Sequence, residues 1–214
     1  INEKDVVFGG VKKLESTIAN ALKVIDADLY VVLTGCIPEI VGDDVADVVS
    51  KFSDAEKPVV FAPTAGFKGN NYKGHEQVVE AIVTQYLKKS DDKQKGLVNI
   101  WADVPYQDLF WLGNIRELEN LLTEIGLTPN TIFGYQRGIE NINKIPHAEF
   151  NLLVSPWVGL KNMKTMEKTL GIPYLHYPVL PVGATETGKF LREVGKFANI
   201  DEGKVEAVIK KHED

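Results

Sequence analysis

A chain of 214 residues with 44% hydrophobic and 25% charged side chains has ordinary globular composition, far from the low-hydrophobicity regime of disordered chains. At roughly 100–200 residues per domain it makes one large domain or two small ones. A net charge of −6 disfavours a phosphate backbone as partner, and no apolar run approaches the roughly 20 residues of a bilayer span, so neither nucleic acid nor membrane is expected.

The opening Ile1-Asn2-Glu3-Lys4-Asp5 has neither the basic nor the apolar region of a signal peptide, and the single cysteine, Cys36, permits no internal disulfide. A cytoplasmic, reducing location fits both. Along the chain, short apolar runs alternate with longer segments of helical spacing, as in strand–helix units with parallel sheets, so the expected fold class is α/β. Strands are expected at Val6–Phe8, Leu29–Thr34, Val59–Ala62, Leu97–Ala102, Thr131–Phe133, Phe150–Val154 and Pro173–His176.

Between them, apolar stripes mark helices that bury one face. They run through Leu14, Ile18 and Leu22, through Val45, Val48 and Val49, through Val78, Val79 and Ile82, through Ile115, Leu118 and Leu122, through Met163, Met166 and Leu170, and through Phe190, Leu191 and Val194. The charged, glycine-ended stretch 90–96 reads as a boundary between domains 1–95 and 96–214. Asp201 reads as a helix start, and 205–211 as a polar helix that frays or continues into further sequence.

Ligands of open α/β sheets sit beyond the carboxyl ends of the strands. Cys36 lies at such an exit, directly after Gly35. By residue type a lone cysteine is a small buried hydrophobe; by position it is a candidate thiolate ligand. An iron–sulfur cluster normally takes about four protein ligands, so further ligands would come from other sequence. Asp43 and Asp44 suit a helix N-terminus without any metal. The segment 62–75 exceeds the ordinary connection of about 2–6 residues, and it reads either as a loop wrapping a bulky group, with Lys68, Tyr72 or His75 inward, or as an interaction loop or capped helix start.

A second strand exit, 101–114, carries the aromatics Trp101, Tyr106, Phe110 and Trp111, which suit a cavity wall, a partner surface or a core. Ser155-Pro156-Trp157 follows a strand in the same way. His147 and His176 show no spacing for a shared metal and read as structural. Gly9-Gly10 is only a helix-start signal, and no GxGxxG, GxxxxGK[ST] or GxSxG pattern occurs.

The run Gly35-Cys36-Ile37-Pro38-Glu39-Ile40-Val41-Gly42-Asp43-Asp44-Val45 resembles the nitrogenase component 1 family, in which a cluster-ligating cysteine precedes an acidic Gly-Asp-Asp helix start. The resemblance extends from Asp5-Val6-Val7-Phe8-Gly9-Gly10 through Gly66-Phe67-Lys68-Gly69, Leu112-Gly113-Asn114 and Ser155-Pro156-Trp157 to Ala184-Thr185-Glu186-Thr187-Gly188-Lys189. Glu39 and the length of the 66–74 loop are more similar to the β-type subunits, those of the molybdenum-iron protein among them.

The resemblance implies successive Rossmann-like α/β domains with parallel sheets flanked by helices, of which this chain covers the first two, with a third beyond Asp214. It implies pairing with an α-type sister subunit, an iron–sulfur cluster held at the interface by cysteines of both chains, and electrons from an ATP-dependent iron protein passing to a small reducible substrate. Dinitrogen, as in nitrogen fixation, and a tetrapyrrole are both substrates of the family type. Carried over residue by residue, Cys36 is the metal ligand, and Gly35, Gly66, Phe67 and Tyr72 surround the cofactor.

The departures are that other cluster cysteines of the family lie in a segment before residue 1, and that some β-type subunits place a ligating serine where Gly66 stands here. These imply a fragment inactive by itself and without its cluster. Two alternatives stay open: a non-catalytic scaffold for metallocofactor assembly, and a two-lobed small-ligand-binding module with Cys36 merely buried.

Overall fold

The computed structural model describes residues 3–134 and 136–213, with the backbone alone at Lys4 and Glu213. The chain divides into two compact units, residues 1–86 and 87–214.

The first unit runs α1 (Glu3–Phe8), α2 (Val11–Val24), β1 (Tyr30–Leu33), α3 (Cys36–Val41), α4 (Val45–Ser50), β2 (Val59–Ala62), a 3-10 turn at Gly66–Lys68, α5 (Asn71–Ala81) and a π turn at Ile82–Tyr86. β1 and β2 pair in parallel from Tyr30↔Val59 to Leu33↔Ala62. The apolar stripes of α2 and α4 meet in a small core of Ile18, Val45, Val48 and Val49, with Leu14, Val32, Phe52 and Phe61 packed around it. The strand expected at Val6–Phe8 is instead the end of helix α1, whose first turn carries Glu3 and Asp5. Those carboxylates favour a helix N-terminus, and a short apolar run does not by itself distinguish strand from helix.

The second unit runs β3 (Gln94–Trp101), α6 (Trp111–Glu124), β4 (Thr128–Thr131), α7 (Ile139–Lys144), β5 (Ala148–Val154), α8 (Leu160–Leu170), β6 (Tyr174–Tyr177), α9 (Ala184–Phe197) and α10 (Glu202–Glu213). Its strands lie in the order β4-β3-β5-β6, and every adjacent pair is parallel. Phe150, Leu152 and Val154 of β5 and Val98 and Ile100 of β3 pack with Leu118 and Leu122 of α6 and Phe190, Leu191 and Val194 of α9. β3 begins at Gln94, inside the charged stretch: its first residues Gln94 and Lys95 are exposed and only Leu97–Trp101 are buried.

The strand expected at Thr131–Phe133 lies earlier, at Thr128–Thr131, and includes Pro129. β4 is an edge strand, the place in a sheet where the missing proline N–H is tolerated. The last helix is not wholly polar: Val205 and Ile209 are buried in the main core. Asp201 accepts the Lys204 N–H at 3.0 Å, and Lys211 and His212 reach Glu124 of α6 at 3.0 and 3.1 Å. α10 can lie close to α9 because Gly195 has no side chain there; a Cβ would stand 2.7 Å from Val205 Cγ2.

Asparagines cross the middle of this sheet in register, Asn130↔Asn99↔Asn151, all buried. Asn130 Nδ2 donates to Asn99 Oδ1 at 2.8 Å and Asn99 Nδ2 to Asn151 Oδ1 at 3.0 Å. Trp101 Nε1 also donates to Asn151 Oδ1, at 3.0 Å.

Candidate functional site

The loops that leave β1 and β2 lie side by side because the two strands are adjacent and parallel. Gly35 follows β1 in extended conformation and Cys36 opens α3. The thiol is exposed, so its residue-type expectation as a buried hydrophobe is overturned: at the first position of a helix that starts beyond the strand end, the side chain has no sheet to pack under. Sγ accepts the Gly66 N–H at 3.2 Å. A Cβ on Gly66 would stand 3.5 Å from the same sulfur, so the missing side chain leaves the thiol open on that side.

The turn after β2 is pinned to the segment after β1 by polar contacts. Thr64 N–H donates to Thr34 Oγ1 at 3.0 Å, and the Thr64 hydroxyl donates to the Thr34 carbonyl at 3.0 Å. The Thr34 hydroxyl donates to Glu39, and the Lys68 ammonium pairs with the other oxygen of the same carboxylate. Burial works against the Glu39 charge, but the bonds from Lys68 and Thr34, the Lys68 charge and the Ala65 N–H outweigh it, holding the carboxyl below its ordinary 4.5. Sequence reasoning put Lys68 in this loop and missed the roles of Glu39, Thr34 and Thr64. The i, i+3 spacing of Cys36 and Glu39, which places both on one helix face, was the available signal.

Of the other candidate residues, Gly35 and Gly66 flank the thiol, and Phe67 is 60% exposed in the 3-10 turn beside them. Tyr72 and His75 are not on the loop. Asn70 Oδ1 accepts the Lys73 N–H at 3.2 Å and starts α5 at Asn71, which puts Tyr72 in the first helical turn, half-buried, and ends the loop sooner than expected. Burial lowers the His75 pKa, with Glu76 opposing.

Asp43 and Asp44 serve different helices. Asp44 caps α4 by accepting the Asp47 N–H at 2.9 Å, whereas Asp43 accepts the Gly10 N–H at 3.0 and 2.9 Å at the start of α2. Gly9, with φ +81, lies where a Cβ would stand 2.8 Å from Asp43 Oδ1, so this approach requires glycine both sterically and conformationally.

Ile40, one helical turn from Cys36, and Phe67, next to Gly66, are exposed, whereas Leu33, Ile37 and Val41, also exposed, line a cavity that Cys36 does not border. Exposed apolar side chains on these segments make a surface suited to being covered. Behind α3 lies a cavity of about 280 Å³ lined by Leu14, Val32, Ile37, Pro38 and Val41. Its polar groups are already engaged, Asp43 by Gly10 and Lys13 by Asp5 at 2.8 Å, which leaves little to orient a small ligand.

In the second unit the aromatic strand exit does not form one cavity wall. Trp101 is buried in β3, Tyr106 and Phe110 are exposed, and Tyr106 stands 5.3 Å from Trp111 at the start of α6. Asp103, beside this exit, is pushed above the usual carboxyl range by burial, against the Asn114 hydrogen bond. His176 Nε2 contacts the Ser155 carbonyl at 2.8 Å and His147 Nδ1 the Asp92 carbonyl at 2.9 Å. Among the described residues no group of three or more His, Cys, Asp or Glu side chains is placed to hold a metal ion, and no helix is long and apolar enough to cross a membrane.

Residues 1–214 match the family model for nitrogenase component 1 type oxidoreductases. Among curated proteins, the chain is similar to the B subunit of light-independent protochlorophyllide reductase from Angiopteris evecta, 28% identical over 89% of this chain and 39% of that protein. The corresponding protein of Chlorokybus atmophyticus is 29% identical over the same shares, and that of Staurastrum punctulatum 28% identical over 92% of this chain and 40% of that protein. The chain thus spans about two fifths of the length of these relatives. Among solved structures, "Nitrogenase Cp1 at pH 6.5" superposes with a TM-score of 0.79 at 24% identity, over 99% of this chain and 40% of that one.

Proposed function

The chain belongs to the nitrogenase component 1 type oxidoreductase family, and from that premise we propose that it is part of a β-type subunit whose Cys36 supplies one sulfur to an iron–sulfur cluster closed by a sister subunit. The observation that carries this reading is the open thiol: Cys36 is exposed at a strand exit and flanked by Gly35 and Gly66. The donor set fits as a contributor and not as a complete cage. One thiolate with an N–H donor is what the described residues offer, against about four ligands for a cluster.

An iron–sulfur cluster, when bound, supplies one-electron storage and transfer. What this chain's residues do is local. Cys36 offers the ligating sulfur, Gly66 N–H directs a dipole at it, and Ile40 and Phe67 provide apolar cover that excludes water once a partner lies over them.

Electrons would come from an ATP-dependent iron protein and go to a small reducible substrate. The reductase names of the curated relatives favour an enzyme over an assembly scaffold, and make a tetrapyrrole double bond the first substrate to try, ahead of dinitrogen. A cytoplasmic location belongs to the same reading.

The test is iron and sulfide analysis of the anaerobically purified full-length protein with its sister subunit. Cys36→Ala is expected to lose most of the cluster and the reduction that depends on it. Unchanged cluster content and unchanged reduction in that variant would sink the assignment.

A further inference from the structure

Cys36 and Glu39 share one face of α3, and opposite that face runs the turn Thr64-Ala65-Gly66. Two of its backbone N–H groups end on side chains of the segment 34–39. Thr64 donates to the Thr34 hydroxyl at 3.0 Å, and Gly66 to the Cys36 sulfur at 3.2 Å. Within itself the turn has the Lys68 N–H to Ala65 carbonyl bond at 2.9 Å, so its placement over the sulfur comes from outside. Glu39 is the common partner: it pairs with Lys68 after Gly66 and accepts from Thr34, which holds Thr64 before it.

We propose that Glu39, with Lys68 as its counter-ion, is a positioning residue that holds this turn so that the Gly66 N–H donates to the Cys36 sulfur. Neither side chain touches the sulfur; both act through the peptide between them. A peptide dipole fixed on a ligating sulfur favours negative charge there and so the reduced form of whatever metal the sulfur binds. Only this redox consequence rests on the cluster reading given above. The placement of the turn does not.

The experiment uses the full-length protein with its sister subunit. It compares Glu39→Ala, Glu39→Gln, Lys68→Met and Cys36→Ala by amide hydrogen exchange across Thr64–Lys68 and by the midpoint potential of the bound cluster. In Glu39→Ala the Thr64 and Gly66 amides should exchange roughly threefold to tenfold faster, the loss of a net hydrogen bond, and the potential should move to a more negative value. Glu39→Gln, which keeps a carbonyl acceptor and the shape, should restore most of both readouts. Lys68→Met should lie between, and Cys36→Ala should release Gly66 alone.

The proposal is overturned if Gly66 exchange in Glu39→Ala matches wild type, or if exchange rises while the potential of a loaded cluster stays put. Wild-type protein without iron and sulfide would overturn the cofactor reading, and the exchange rates of Glu39→Ala against Cys36→Ala would still decide this one.

Discussion

A half-buried imidazole on α5 makes the first unit sensitive to acid. Burial depresses the His75 pKa below its ordinary 6.5, so the folded chain keeps it neutral where the unfolded chain takes up a proton. Stability is therefore level above that value and lost as pH falls through it, because the unfolded state binds more protons there. The thermal midpoint should drop on acidification from about pH 7.5 to about pH 5.5, and His75→Gln should shrink the drop; superimposable profiles of the two proteins would contradict this. At this scale the sequence was legible where a residue's neighbours in the chain decide its role. Cys36, Gly35 and Asp44 sit at strand exits and helix starts that their own segments define. It was not legible where the partner lies far along the chain: Asp43 looked like a second cap beside Asp44, and nothing near it indicates that its carboxylate closes the start of α2.

Elements follow the same division. The stripes of α6, α8 and α9 announce themselves because a buried face repeats over several turns, and Leu118, Leu122, Met163, Met166, Phe190 and Val194 are all in the core. Runs of a few residues carry no period, so Val6–Phe8 was open to both assignments, and Pro129 displaced the reading of β4 from a strand that its edge position permits. α10 was underrated because its apolar residues are few; what docks it is a gap on α9. Glycine inside a helix ordinarily costs roughly 0.5–1 kcal/mol relative to alanine, which would make Gly195→Ala stabilising. Here the added methyl would press on Val205 Cγ2 at 2.7 Å, an overpacking that costs about 1–3 kcal/mol, and the sign reverses. Denaturant unfolding should show Gly195→Ala less stable than wild type; a gain in stability would mean that α10 does not lie this close.

Over the whole molecule the two units differ in how much holds them. The second has a four-stranded sheet with Phe150, Leu152, Leu118, Phe190 and Val194 at 2% exposure or less. The first has a two-stranded sheet, with Ile18, Val45, Val48 and Val49 in one cluster and the smaller side chains Val60, Ala62, Val79, Ala81 and Val83 buried besides. A strand pair gains independent stability only from what packs on it, so native-state amide exchange should be slower in Leu97–Trp101 and Phe150–Val154 than in Tyr30–Leu33 and Val59–Ala62. Equal or inverted protection would refute that order.

The amides that cross the middle of the larger sheet carry one more consequence. Asn130, Asn99 and Asn151 bond side chain to side chain only when their strands are aligned as found, and Asn151 Nδ2 is left without a partner among the described residues. A slip of β5 along β3 by one position would set Asn99 against Phe150 or Leu152 and Asn151 against Val98 or Ile100, at roughly 1–3 kcal/mol for every stranded group. Apolar neighbours need no individual partner, whereas these amides do, so the polar seam adds its own preference for the alignment that the two faces of the sheet already favour.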